Sequence, residues 1–209
     1  MSELQRAEPR GFPIVLSAAS GTGKTTLGQR LMRGCTGLTL SISFTTRAPR
    51  PGESDGVDYH FIDTARFDEM VRSGSFIEWA EVHGNLYGTA WSEVQNRLDS
   101  GSDVLLDIDV QGGKQIRDRF SDSLLIFLLP PSLNELQRRL SARGTEAPDD
   151  FHRRMLNARR EIEGAVLYDY LIVNDDLDRA AQRLCDVVVV ERLRRLDKAA
   201  TVQHILALP

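Results

Sequence analysis

Near its amino terminus the chain joins an apolar segment, a glycine-rich loop and a helical pattern in immediate succession. Residues 12–17 form a short apolar run typical of a buried strand, and residues 25–33 have helical spacing through Leu27 and Leu31. Between them lies A-A-S-G-T-G-K-T. A strand that passes through glycines directly into a helix leaves the first backbone N–H groups of the helix free to bind an anion. This order predicts an α/β fold with an anion site at the end of a strand.

The same alternation continues along the chain. We expect further strands at 38–43, 59–62, 76–82, 104–108, 124–129 and 171–173. Helical patterns follow them, one capped by Thr64 and a last long one from Leu177. Apolar strands that alternate with helices predict a parallel sheet covered by helices on both faces. With 209 residues, 41% of them hydrophobic, the chain can bury such a core as one domain.

Changes in composition along the chain predict two further parts besides the core. Residues 43–89, with short strands and turns, predict a small mixed α/β lobe inserted into the core. Seven arginines between positions 138 and 160 surround an acidic, proline-containing stretch, which favours a mobile helical lid. We therefore expect a flexible polar tail at 1–10 and a single domain at 11–209. Its parts are a core at 11–42, 90–135 and 167–209, the lobe at 43–89 and the lid at 136–166.

Charge, hydropathy and cysteine spacing exclude several classes of protein. A net charge of -4 argues against a general nucleic-acid binder. The longest apolar runs are too short to span a bilayer, and residues 1–10 have no apolar signal-peptide centre, so we expect a cytoplasmic protein without a membrane partner. Cys35 and Cys185 lack metal-type or redox spacing and are expected to be reduced thiols.

The glycine-rich loop has most parts of a P-loop. Gly21 and Gly23 let backbone N–H groups wrap a phosphate, Lys24 reaches the phosphates, and the Thr25 hydroxyl suits Mg²⁺. Ala18 stands where the usual pattern begins with glycine, and its cost depends on the sign of its φ angle. An acidic residue at the end of a neighbouring strand completes such a site, and Asp107 is placed to hold Mg²⁺ directly or through water; the alternative is a helix cap.

A second phosphate site is indicated by S-F-T-T-R-A-P-R-P-G-E-S-D-G-V-D-Y-H-F, residues 43–61. Arg47 and Arg50 present two cationic forks, and the prolines prevent the segment from continuing as a helix. Two phosphate sites in one small chain predict phosphoryl transfer between two phosphorylated molecules.

Together with F-I-E-W-A-E-V-H-G-N-L-Y-G-T, L-D-I-D-V-Q-G, R-L-S-A-R-G-T-E and I-V-N-D-D-L, these segments resemble the guanylate kinases of bacteria over about residues 11–195. The resemblance implies a P-loop nucleoside monophosphate kinase fold: a parallel sheet flanked by helices, with an inserted mixed α/β GMP-binding lobe and a helical lid. It implies transfer from Mg-ATP to GMP, with dGMP as an alternative acceptor. Ala18, and Ala19 where the family often has proline, depart from the family pattern.

The resemblance also implies roles for individual residues. The GMP phosphate would be held by Arg47, Arg50, Tyr59 and Tyr87. Guanine would be read by Ser43, Glu78 and Thr89, with Asp109 close to GMP. ATP would be bound by Ala19, Ser20, Gly21, Thr22, Gly23, Lys24, Thr25, Thr26 and Asn174. The catalytic charges would come from Lys24, Arg47, Arg139, Arg143 and Arg154.

Plainer interpretations exist for several of these residues. Glu78 has the pattern of a solvated charge on an edge strand, and Tyr59 and Tyr87 that of core aromatics. The lid arginines fit a solvated helix with pairs such as Glu135 with Arg139, and Asp175 and Asp176 fit a helix cap.

Two other functions fit the same scaffold. One is a kinase of another small phosphorylated substrate, such as a sugar phosphate, and the other is a guanylate-kinase-like binding module without catalysis. Retention of Ser43, Glu78 and Thr89 argues against the first, and intact Lys24 and Thr25 argue against the second. A GTPase switch is disfavoured because no N-K-x-D motif follows the strands. The sequence is compatible with a monomer or a homo-oligomer.

Overall fold

The structure is a computed structural model that describes residues 10–82, 84–141 and 148–207. The strands are β1 (Pro13–Ala18), β2 (Leu38–Leu40), β3 (Phe44–Thr45), β4 (His60–Phe61), β5 (Phe76–Val82), β6 (Asn85–Ala90), β7 (Asp103–Asp107), β8 (Leu124–Leu129) and β9 (Tyr170–Val173). The helices are α1 (Lys24–Gly34), α2 (Thr64–Arg72), α3 (Trp91–Asp99), α4 (Val110–Arg119), α5 (Leu133–Ser141), α6 (Pro148–Glu163), α7 (Leu177–Arg194) and α8 (Lys198–Ala207).

Five parallel strands form the central sheet in the order β2-β7-β1-β8-β9. In the middle strand, Val15 lies opposite Leu106 on one side and Leu125 on the other. The chain leaves β1 through α1 toward β2, whereas β8 lies on the opposite side of β1, so the strand order reverses at β1. The carboxyl end of β1 therefore opens into a crevice, which is where ligands bind in sheets of this kind.

Helices cover both faces of this sheet because successive side chains of a buried strand point in opposite directions. Ile14 and Leu16 of β1 pack with α1 and α7, including the buried Leu27 and Leu184. Val15 points to the other face, where α3, α4 and a short 3-10 helix at Gly164–Leu167 pack. Fully burying one such aliphatic side chain contributes about 1.5–3 kcal/mol. The predicted parallel sheet flanked by helices is confirmed.

A second sheet of four strands, in the order β4-β3-β6-β5, occupies the region where the inserted lobe was predicted. Strand β3 is parallel to β4 and antiparallel to β6, so the sheet is mixed. Phe67 and Met70 of α2 pack against Phe76 and Ala90 to form a small core of its own. The cap of α2 differs from our expectation: the carboxylate of Asp63, not Thr64, accepts the Arg66 N–H at 2.7 Å. Asp63 has the extended backbone that an N-cap requires, whereas Thr64 is already helical.

Helices α5 and α6 lie in the region of the predicted lid. Leu136 and Leu140 of α5 and Ala158 of α6 bury their side chains together with Ala19 of the glycine-rich loop. Arg143, which the sequence placed in the catalytic set, lies outside the described residues, as does the predicted flexible tail apart from Arg10. In the part of the chain that the structure describes, every helix is too short or too polar to cross a membrane.

Candidate active site

The glycine-rich loop joins β1 to α1 at the carboxyl edge of the central sheet. Ala18 is the last residue of β1 and pairs in extended conformation with Leu128, so its Cβ is accommodated without strain. Gly23, by contrast, caps α1 with a φ of 100°, a left-handed conformation that favours glycine. A Cβ at Gly23 would also lie 2.8 Å from Nδ2 of Asn174. The substitution at position 18 therefore leaves the loop geometry intact, whereas one at position 23 would not.

Lys24 begins α1 and turns its ammonium group toward the neighbouring strand β7. Its Nζ lies 2.5 Å from Oδ1 of Asp107 and donates to the Ile108 carbonyl at 3.2 Å. Thr25 and Asp107 line the same cavity, so the hydroxyl and the carboxylate predicted for Mg²⁺ face one space. Oxygen donors of this kind are the ones that Mg²⁺ takes, usually one or two from the protein with the rest from water and phosphate.

A cavity of about 230 Å³ lies between the loop and the second sheet. It brings together predicted residues from six separate parts of the chain: Lys24, Thr25, Ser43, Tyr59, Glu78, Tyr87, Asp107 and Asp109. Asp109 is also the N-cap of α4, where its Oδ1 accepts the Gly112 N–H at 2.9 Å. The helix-cap interpretation of an acidic strand end therefore holds for Asp109, while Asp107 is paired with Lys24.

Three polar side chains predicted to read the base form a chain of hydrogen bonds. The Thr89 hydroxyl donates to Oε1 of Glu78 at 2.6 Å, so the Ser43 hydroxyl, 3.4 Å from Oγ1 of Thr89, is left to donate to Thr89. Glu78 is only 3% exposed, which rules out a solvated charge. Burial raises the pKa of Glu78 to about 7, against the opposing effect of the Thr89 hydrogen bond.

Glu53, a residue that the sequence did not single out, accepts hydrogen bonds from the side chain of Arg47 and from the backbone of Arg50. Arg47 Nη2 lies 2.8 Å from Oε1 of Glu53, and the backbone N–H of Arg50 donates to Oε2 at 2.7 Å. Hydrogen bonding from Arg47 lowers the pKa of Glu53. The sequence signal that could have identified Glu53 as a partner of the arginines is its position in P-G-E, three residues after Arg50 in a turn.

Aromatic rings frame one of these arginines. The Arg47 guanidinium carbon lies 5.3 Å from the centre of the Tyr59 ring, and the Tyr59 and Tyr87 rings meet edge to face at 6.0 Å. The side chain of Arg50 is exposed to solvent. The arginine segment therefore has one arginine with a defined position and one directed to solvent.

A second cavity, of about 420 Å³, lies on the other side of the loop. Its lining includes the predicted residues Gly21, Thr22, Gly23, Thr26, Arg139 and Asn174. Asn174 Nδ2 donates to the Thr22 carbonyl at 2.6 Å, and Arg139 spans the Thr22 and Asn174 carbonyls at 3.4 and 3.3 Å. The expected pair of Arg139 with Glu135 is also present, at 2.8 Å.

Helix α6, in the region predicted to be a lid, makes polar contacts with the loop at Ser20 in addition to its apolar contact with Ala19. Arg154 donates to the Ser20 hydroxyl at 3.2 Å, and the Ser20 N–H donates to the carboxylate of Glu161 at 3.3 Å. Ala19, beside it, is buried with a 2% exposed fraction and packs with residues of α5 and α6. Glu161 was not among the predicted residues.

Comparisons with known proteins agree with this geometry. The family model described as guanylate kinase matches residues 10–191. The chain is 50% identical over 188 residues to the guanylate kinase of Myxococcus xanthus, covering 90% of each chain. It is 51% identical over 184 residues to that of Alkalilimnicola ehrlichii, covering 88% of this chain and 91% of the other. The crystal structure of guanylate kinase from Anaplasma phagocytophilum superimposes with a TM-score of 0.76 at 33% identity, covering 90% of both chains. The chain belongs to the guanylate kinase family.

Proposed function

We propose that the chain transfers the γ-phosphoryl group of Mg-ATP to the phosphate of GMP, giving ADP and GDP. One observation carries the proposal: the same loop lines two cavities, with Lys24 and Thr25 facing the first and Gly21, Thr22 and Gly23 facing the second. A donor bound on one side and an acceptor bound on the other meet at this loop. Membership of the guanylate kinase family supports ATP as the donor and GMP as the acceptor.

The chemistry requires positioning and charge compensation more than proton transfer. An oxygen of the GMP phosphate attacks the γ-phosphorus, and the bond from that phosphorus to the β,γ-bridging oxygen breaks. Because the second pKa of a phosphate monoester is about 6, the attacking group is already mostly dianionic at neutral pH, and a general base is not needed. The obstacle is the meeting of two polyanions in line.

The cationic side chains supply that compensation. Lys24 lies at the first cavity, Arg47 comes from the second sheet, and Arg139 and Arg154 come from α5 and α6; Arg143 completes the set in the family pattern. Arginine suits these positions because its planar fork stays protonated and binds two phosphate oxygens at once. Arg50, Tyr59 and Tyr87 complete the proposed GMP phosphate site, and Thr26 and Asn174 belong to the ATP side.

Thr25 and Asp107 are the residues that would hold Mg²⁺, directly or through water. Both are oxygen donors facing one cavity, which fits the preferences of this ion. When bound there, the ion would supply positive charge that offsets the negative charge developing during phosphoryl transfer. The protein's own part is to hold the Asp107 carboxylate in place, and Lys24, whose Nζ lies 2.5 Å from its Oδ1, does so.

An acceptor panel tests the reaction. ADP release from Mg-ATP is measured with GMP, dGMP, AMP and a set of sugar phosphates in turn. We expect GMP to be used best and AMP to be rejected strongly, because adenine would leave the buried Glu78 without its donors. Preference for a sugar phosphate would favour the rival kinase, and binding of GMP without turnover would favour a non-catalytic module.

Lys24→Ala tests the loop itself. We expect kcat to fall by a few orders of magnitude, corresponding to about 3–5 kcal/mol of lost transition-state stabilisation. The control is Lys114→Ala on the exposed face of α4, which should leave kcat unchanged. Near-normal turnover in Lys24→Ala would contradict the assignment of the loop.

A further inference from the structure

The strand that carries Glu78 has one of its edges covered by a side chain. In the order of the described strands, β5 lies at the edge of the second sheet, next to β6 alone. At this edge the Trp79 N–H donates to Oε1 of Gln115 at 3.2 Å, and Nε2 of Gln115 donates to the Trp79 carbonyl at 2.8 Å. An amide has one acceptor and one donor side, so Gln115 replaces the neighbouring strand that Trp79 lacks.

The same helix approaches the Glu78 carboxylate one turn earlier. A Cβ built on Gly112 would lie 2.6 Å from Oε2 of Glu78 and 3.2 Å from its Cδ. The backbone of Gly112 is helical, so alanine would fit its conformation and only the space is missing. Gly112 and Gln115 are three positions apart and therefore share a face of α4. This face of α4 therefore contacts both the carboxylate of Glu78 and the backbone of Trp79.

A register shift in β5 turns Glu78 toward that face. The pairing of β5 with β6 is irregular between Phe76 and Glu78. Phe76 packs in the small core of the second sheet and Ile77 in the core of the central sheet, so both faces of β5 are covered here, and Glu78 is buried directly after them. Bulges next to active sites commonly re-aim a side chain in this way. The irregularity therefore sets the face of β5 on which Glu78 lies, where its carboxylate is beside Gly112 of α4.

We propose that Gly112 and Gln115 are positioning residues for nucleobase selection. Gln115 fixes the strand at Trp79 and Gly112 leaves room for the carboxylate, so that Glu78 is held where it accepts both donors on the guanine edge. Neither residue lines the cavity of about 230 Å³, so both act through Glu78. The inference rests on the proposed role of Glu78 in reading the base.

The experiment measures kcat and KM for GMP, AMP and ATP in Gln115→Met and Gly112→Ala. Methionine keeps the length of glutamine and removes both hydrogen bonds. We expect the KM for GMP to rise about tenfold, as for loss of one good hydrogen bond to a charged group, while the KM for ATP changes by less than about twofold. The preference for GMP over AMP, as a ratio of kcat/KM values, should fall by about the same factor. Lys114→Met, at the exposed neighbouring position, is the matched control.

Equal losses of kcat/KM for GMP and AMP would show a general role in supporting the lobe and would overturn the proposal, as would kinetics equal to those of Lys114→Met. Glu78→Gln in the same assay separates this proposal from the one it rests on. An unchanged KM for GMP in Glu78→Gln would remove the base-reading role and this inference with it. A raised KM there, with normal Gln115→Met, would overturn the positioning role alone. In the double variant Glu78→Gln/Gln115→Met we expect little further loss of preference, because the second change acts through the first residue.

Discussion

Glu78 is the residue on which a change of pH should act most directly. Its pKa rises to about 7 through burial, and nearby Asp109 acts in the same direction, while the Thr89 hydrogen bond and Lys24 oppose the shift. The guanine edge offers only donors to it, so GMP binding requires the ionised carboxylate. Bound GMP therefore lowers this pKa, and binding near neutral pH releases a proton.

We predict that the KM for GMP rises as pH falls below about 7, approaching tenfold per pH unit where Glu78 is protonated in the free protein. Above that pH the carboxylate is already ionised and KM is flat. The GMP phosphate adds its own change near about pH 6. Measuring KM for GMP from about pH 5.5 to 8.5 in the wild type and in Glu78→Gln separates the two, because the variant keeps only the phosphate change. Parallel profiles in the two proteins would contradict the prediction.

Individual site residues could be predicted where a local motif carries them. Lys24 follows the glycines of its own loop, and Glu78 lies within the family motif F-I-E-W-A-E-V-H-G-N-L-Y-G-T. Gln115 and Glu161 could not, because each acts on a residue far along the chain: Gln115 on Trp79, and Glu161 on Ser20, 141 positions away. A helical glutamine or glutamate has no local pattern that distinguishes such a contact from a solvated side chain.

At the scale of elements, the ends of helices show how closely neighbouring residues compete. The sequence D-T precedes α2, and both types are good N-caps. Asp63 takes the role and Thr64 becomes the first helical residue. Asp176 likewise caps α7 by accepting the Arg179 N–H at 2.9 Å, in agreement with the cap that the sequence suggested.

We predict that Asp63→Ala lowers the free energy of unfolding by about 1 kcal/mol, since the Arg66 N–H loses its partner. Thr64→Ala is the matched control and should change stability by only a few tenths of a kcal/mol, because alanine is the better helix former inside the first turn. Urea unfolding of the three proteins measures both values. Equal losses in the two variants would mean that the cap is shared.

Strand and helix types were largely predictable, and their irregularities were not. The apolar run at Leu124–Leu129 is a strand over the expected residues, because its continuous hydrophobicity and length allow little else. The irregularity before Glu78 has no signature in F-I-E-W, since it depends on how β5 pairs with β6 and on α4 beside it. Helix α8 was not expected, because it follows the last apolar segment that the core needs.

At the scale of the whole molecule, alternating strands and helices predicted the parallel sheet, yet only the folded chain shows that β1 lies at its centre. That position places the loop after β1 between β7, which brings Asp107, and β8, whose continuation leads to α5 and Arg139. The two cavities therefore follow from strand order. A two-substrate site of this kind needs both neighbours of β1, which are distant in sequence.

Helix α8 lies apart from both cavities of the candidate active site. Its described residues line neither cavity, and its large apolar side chains Val202, Ile205 and Leu206 are exposed. We predict that a chain ending at Asp197 keeps kcat and both KM values within about twofold, because terminal segments without buried contacts tolerate removal. Steady-state kinetics and sedimentation of the full and shortened chains check this together. If activity and mass fell in parallel on shortening, α8 would belong to an assembly of several copies whose active sites need that contact.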